Sequence, residues 1–167
     1  YLSNGAYSDL EIRCRDTSYA VHRIVLCSQV KFLENACNGA FKVCLEPVPN
    51  REAKDRIVDL SYDDPTAVRS MIQFAYTNDY SLDDDQSGKH ALQHVDVYAS
   101  AKYDIPSLGN LAKIKFKPIL EKHWDADWVR DAVHGVYHST YSSDRGLRDI
   151  LVQAHRRRET LPHRRHG

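Results

Sequence analysis

Tyr7-Ser8-Asp9-Leu10-Glu11-Ile12 and Tyr19-Ala20-Val21-His22-Arg23-Ile24-Val25-Leu26 are the two stretches on which the fold turns. Leu10, Ile12 and Cys14 alternate with Glu11 and Arg13, the period of two that marks a half-buried strand. Asp16-Thr17 reads as a turn and Tyr19 to Val21 as the return strand, which makes a hairpin. From Arg23 to Gln29 the pattern changes to that of a helix opened by His22. Asp9 stands at a strand start and Arg23 at a helix start, and such a fold brings them together. They are expected to serve there as an ion pair or cap holding the hairpin against the helix.

Working outward, a second short helix fits Val30 to Asn38 and ends at Gly39. Glu46 to Lys54, with Pro47, Pro49 and Asn50, reads as a loop, and Arg56 to Leu60 as a third strand. The helix from Pro65 has Asp64 as its cap, proline at its first position, and Val68, Met71, Ile72 and Ala75 on one face. A polar stretch, Asp83 to Gly88, precedes a helix over about Ala91 to Tyr103. Another follows over Ser107 to Phe116, where Pro118 is expected to stop or kink it. Val129, Val133, Val136 and Tyr137 form one later helical face, and Leu147, Ile150, Leu151 and Ala154 another, after a cap at Asp144. These predict an antiparallel pair. Trp124 and Trp128 staple the first of the two onto the body. From His155 to Gly167 the apolar periodicity is lost, which predicts a solvated, disordered basic tail.

The chain has 167 residues, 42% of them hydrophobic and 28% charged, enough for one domain with a real core. Net charge is zero, which argues against a general polyanion binder and makes nucleic acid an unlikely partner. The tail from His155 holds five arginines against one glutamate, +4, and therefore leaves −4 on the remainder. No apolar run approaches the roughly 20 residues that span a bilayer. The first residue is Tyr1 and the only methionine Met71, so the chain reads as a fragment. Cys14, Cys27, Cys37 and Cys44 form no Cys-x-x-Cys pair. Cys14 shares the buried parity of Leu10 and Ile12, and the set suits a reducing compartment rather than a disulfide framework.

The order of hairpin, two short helices, strand and alternating helices resembles a BTB/POZ domain over about residues 7 to 117. Further support comes from Leu60 with Asp63-Asp64-Pro65, from Phe74-Ala75-Tyr76-Thr77-Asn78-Asp79-Tyr80, which is similar to the family's aromatic-Tyr-Thr-Gly-x-Tyr ending, and from Tyr98-Ala99-Ser100-Ala101-Lys102-Tyr103-Asp104-Ile105, which is similar to its Ala-x-Lys-Tyr segment. Asn78 replaces the usual glycine, and asparagine tolerates the left-handed angles such a turn needs. The loop composition is most like that of fungal members. The resemblance does not extend to the extra N-terminal helix that many members exchange across a dimer.

The resemblance implies an α+β fold: a small β-sheet with a cluster of about five helices, here followed by a C-terminal helical extension. The expected divisions are 1–117 for the BTB/POZ domain, 118–154 for the extension packed on it, and 155–167 for the basic tail. It also implies a non-enzymatic protein–protein interaction module acting inside the cell, in the cytoplasm, the nucleus or both. Its first expected role is as an adaptor between a substrate receptor and a cullin-type ubiquitin ligase scaffold. The alternative is a dimerisation or corepressor-recruitment module of a nuclear protein. Cullin-binding members use a hydrophobic-x-Glu motif, to which Cys44-Leu45-Glu46 is the nearest match. The expected partner-binding residues are Asp9, Arg23, Leu45, Glu46, Asn78, Asp79 and Tyr80, with Leu45 and Tyr80 as apolar anchors rimmed by Glu46 and Asp79. The partners are proteins: a cullin scaffold, or a second copy in a homodimer.

No catalytic, cofactor or metal site is expected. His90 with His94 and His134 with His138 have helical i, i+4 spacing, but no cysteine or carboxylate motif joins either pair. His22 reads as a buried histidine bonded to backbone. There is no Gly-x-Ser-x-Gly elbow and no phosphate loop.

Overall fold

The computed structural model describes residues 5–38, 56–82, 89–100, 103–140 and 142–160. Among these are three strands, β1 (Leu10–Cys14), β2 (Thr17–Val21) and β3 (Ile57–Asp59). Seven helices accompany them: α1 (Arg23–Gln29), α2 (Lys31–Cys37), α3 (Pro65–Thr77), α4 (Lys89–Ser100), α5 (Pro106–Lys122), α6 (Trp128–Ser139) and α7 (Gly146–Thr160). The fold is α+β, with five helices about the sheet and two more beyond them.

The sheet order is β2-β1-β3. β1 pairs antiparallel with β2, Leu10 opposite Val21 and Cys14 opposite Thr17. The turn is therefore Arg15-Asp16, one residue earlier than expected, and Arg15 takes a φ of +51° to make it. β3 runs parallel to β1, with Ile12 opposite Val58. Parallel pairing needs a crossover, and α1 and α2 lie in it. Leu10, Ile12 and Cys14 all point into the core, as their alternation requires.

α3 starts as its sequence dictates. The Asp64 carboxylate accepts hydrogen bonds from the Thr66 and Ala67 N–H groups at 2.9 and 3.0 Å, and Pro65 occupies the first turn. Its last helical bond runs from the Asn78 N–H to the Phe74 carbonyl, and the left-handed Asn78, with a φ of +56°, then turns the chain out of the helix. Two later elements depart from expectation. α5 does not stop at Pro118 but runs on to Lys122. Proline removes the bond to the carbonyl four residues back, that of Ile114, and both residues are exposed, so water can take the donor's place. The tail is also shorter than expected, because α7 continues through His155, Arg156, Arg157 and Arg158 to Thr160. Arg157 reaches Glu121 on α5 at 2.8 Å and Arg158 pairs with Asp125. Partners on a neighbouring element, not apolar periodicity, accompany that last turn.

The buried apolar residues form two cores. The first gathers the sheet, α1, α2 and α3 around Ile12, Leu26, Leu33, Met71 and Ile72, together with Val97 of α4 and Leu108 and Ala112 of α5. The second holds Ala91 and Val95 of α4, Phe116 and Leu120 of α5, Val129 and Val136 of α6, and Leu147 and Leu151 of α7. α4 and α5 thus bury residues in both, and Tyr98 packs against both. Trp124 and Trp128 pack on the second core.

Candidate partner-binding surface

Asp9 and Arg23 meet, but not as an ion pair. The Asp9 carboxylate accepts the backbone N–H of Arg23 at 2.7 Å. The α1 N-cap residue, His22, makes no side-chain cap bond of its own, so an acid from the start of β1 satisfies one of the helix's free donors. A cap of this kind is worth about 1 kcal/mol. The Arg23 guanidinium turns the other way and donates to the Cys37 carbonyl at 3.1 Å and to Asn38 Oδ1 at 2.8 Å, closing the end of α2. One residue therefore ties both short helices to the strand. His22 is half-buried and bonded through both ring nitrogens, Nδ1 to the Tyr76 hydroxyl at 2.8 Å and Nε2 to the Ala6 carbonyl at 3.0 Å.

Beside this knot lies a shallow groove of about 410 Å³, lined by Asp9, Arg23, Ile24, Cys27, Ser28 and Glu34. Ile24 is 82% exposed on α1 and Tyr7, just before β1, is 95% exposed. Ile24 and Tyr7 thus leave apolar surface in water on the same side of the chain as this charged groove.

The Asn78-Asp79-Tyr80 segment corrects the expected surface. Tyr80 is 1% exposed and is a core side chain, not an anchor. Its hydroxyl bonds His94 Nδ1 at 2.7 Å. Lys115 stands 4.7 Å from its ring centroid and donates to the Tyr80 carbonyl at 2.6 Å. Lys115 also pairs with Asp79 at 2.6 Å, and its hydrogen bond holds the Asp79 carboxyl below its usual range. Gln73 clamps the same turn, receiving the Ser81 N–H and donating to the Ser81 hydroxyl. Asn78 and Asp79 stay exposed. Leu45 and Glu46 lie outside the described residues.

A larger cleft of about 640 Å³ opens between the end of α4, the first half of α5 and the end of α6 with the loop after it, lined in part by Tyr98, Asn110, Lys113, His138 and Asp144. Its acid is engaged: Asp144 accepts the Tyr98 hydroxyl at 2.6 Å and the Gly146 N–H at 2.9 Å. His134 and His138 stack with centroids 5.7 Å apart on the exposed face of α6. His94 is spent on Tyr80, and the side chain of His90 lies outside the described residues. Arg148 closes the end of α6, donating to the Thr140 carbonyl at 2.8 Å. The sequence reading missed Lys115, although a lysine one residue before buried Phe116 on the inward stripe of α5 signals a partner. It also missed Asp63, which accepts the Tyr103 hydroxyl. Among the described residues no helix is long and apolar enough to cross a membrane.

A family model described as the BTB/POZ domain matches residues 1–116. No curated protein shows a significant match to the chain. The chain belongs to the BTB/POZ domain family and is a protein–protein interaction module.

Proposed function

We propose that this BTB/POZ domain pairs with a second copy of itself through the α1 face, and so brings together whatever its full-length protein carries. The observation that carries the reading is Ile24, 82% exposed beside the groove of Asp9, Arg23 and Glu34. Across a two-fold axis the same patch faces itself, which sets apolar against apolar at the centre and acids near a base at the rim. The role involves no catalytic step. Action inside the cell fits the free thiols of Cys14, Cys27 and Cys37. Light scattering on a sizing column is expected to give a dimer for the parent and a monomer for a folded Ile24→Asp variant. A parent that stays monomeric at high concentration contradicts the reading.

The second reading is the cullin adaptor. It is favoured by the exposed Asn78-Asp79 turn at the end of α3, held rigid by Lys115 and Gln73. Leu45 is its remaining apolar anchor, since Tyr80 is in the core. Calorimetry with a cullin N-terminal domain is expected to show binding that Leu45→Asp abolishes. No binding by the folded parent would remove the adaptor role.

A further inference from the structure

The cleft of about 640 Å³ shares no lining residue with the α1 groove. Lys113 of α5 lines it half-buried, and among the described residues it makes no ion pair or hydrogen bond. Lys115, two residues on, is half-buried too but is neutralised by Asp79 at 2.6 Å. A partly desolvated ammonium without a counter-charge costs stability, and a carboxylate arriving in the cleft offsets that cost. Asn110 and His138, on the same walls, each add an N–H donor. The cleft's acid, Asp144, already receives the Tyr98 hydroxyl and the Gly146 N–H. The positive charge continues beyond the cleft. Pro106, Asn110, Lys113 and Lys117 recur at helical spacing on one face of α5. Lys117 also makes no ion pair among the described residues, and Ile114 beside it is 69% exposed.

We propose that this cleft, with the α5 stripe that leads out of it, binds an extended acidic segment of a partner protein. One carboxylate enters the cleft at Lys113, Asn110 and His138, and a second meets Lys117. The spacing fits. Lysines one helical turn apart stand about 5–6 Å apart at Cβ, and same-side residues of an extended chain recur about every 6.6 Å. Ile114 offers apolar surface to the methylenes of a glutamate side chain. A peptide suits the site better than a small anion, because the two lysines carry the charge past the rim of the cleft and the chain is a protein–protein interaction module. The chain's own end does not suit it, since residues 161–167 hold Arg164 and Arg165 and no acidic side chain.

The test is fluorescence polarisation of a short labelled peptide of alternating glutamate and serine, titrated with the intact chain at low salt. The expected result is saturable binding that added salt weakens and that the same peptide with glutamine for glutamate does not show. Lys113→Glu should weaken it roughly fivefold or more, while Lys113→Arg keeps most of it. Arg156→Glu, in the arginine run of α7, should change it less than Lys113→Glu does. Hydrogen exchange of the parent with the glutamate peptide bound should show protection at the start of α5 and the end of α6, which places the site without any variant. No saturable binding by the parent, equal binding of the glutamine peptide, or protection confined to other elements would each overturn the proposal. A short thymidine oligonucleotide that bound more tightly than the peptide would overturn the choice of a protein segment as occupant.

Discussion

Asp96 on α4 shows how the packing of single residues sets a measurable property. Its burial, and next the Asp64 carboxylate, push its carboxyl from 3.8 up to about 6. A raised acid binds its proton more tightly when folded. Its contribution is therefore fully present below pH 3.8 and is lost as pH rises through about 6. Asp96→Asn should raise stability by about 1–2 kcal/mol at pH 7.5, discounted for partial exposure, and change it little near pH 4. Denaturant melts at both values check this, and an equal shift at both contradicts it. Legibility at this scale followed the backbone. Asp64, Pro65 and Asn78 were readable because each meets a local demand of a helix end. Tyr80 was misread because a tyrosine after a polar turn gives no local sign that His94 and Lys115, on two other helices, will enclose it.

Among the elements, the helix faces were readable and their ends were not. Pro118 and the arginines after Ala154 looked like boundaries because each lacks a local reason to continue. The reasons lie on other elements or in the solvent: Glu121 and Asp125 for the arginines, exposure of the unpaired carbonyl for the proline. The seam between α4 and α7 is a sharper case. At Gly146 an added methyl would overlap the Tyr98 hydroxyl that bonds Asp144. Alanine there favours a helix, yet it displaces a hydrogen bond to a carboxylate worth about 1.5–3 kcal/mol. Gly146→Ala should therefore destabilise the protein, by about 1–2 kcal/mol net. In a Tyr98→Phe background the same change should cost clearly less, since both remove one interaction. Equal costs in the two backgrounds, read from urea midpoints, would contradict the seam.

For the whole molecule, the shared helices decide how the parts hold together. The family match ends at residue 116, inside α5, while Phe116 and Leu120 lie in the second core. Ending the chain after Lys117 would uncover Ala91, Val95 and Phe116, and burial of one large aliphatic side chain is worth roughly 1.5–3 kcal/mol. The shortened chain should melt at a lower temperature and aggregate, and an unchanged melting curve would show that the extension is not docked. The order of elements and most apolar helix faces were legible, because period and capping encode them; Phe116 and Leu120 were not, because the sequence pattern was expected to break at Pro118. The partner surface was less so. A surface is marked by what folding leaves unburied, and Ile24, which reads as an ordinary helix residue, is known as exposed only once α1 is packed against α2 and α3.

Docking of a second copy on the α1 face is tested by hydrogen exchange of the intact chain at dilute and high concentration, followed by mass spectrometry. The prediction is that amides of Arg23–Gln29 and the segment just before β1 gain protection on concentration in the parent and not in Ile24→Asp, while α6 and α7 exchange alike in both. Protection that is absent from α1, or that falls on another face, would contradict it.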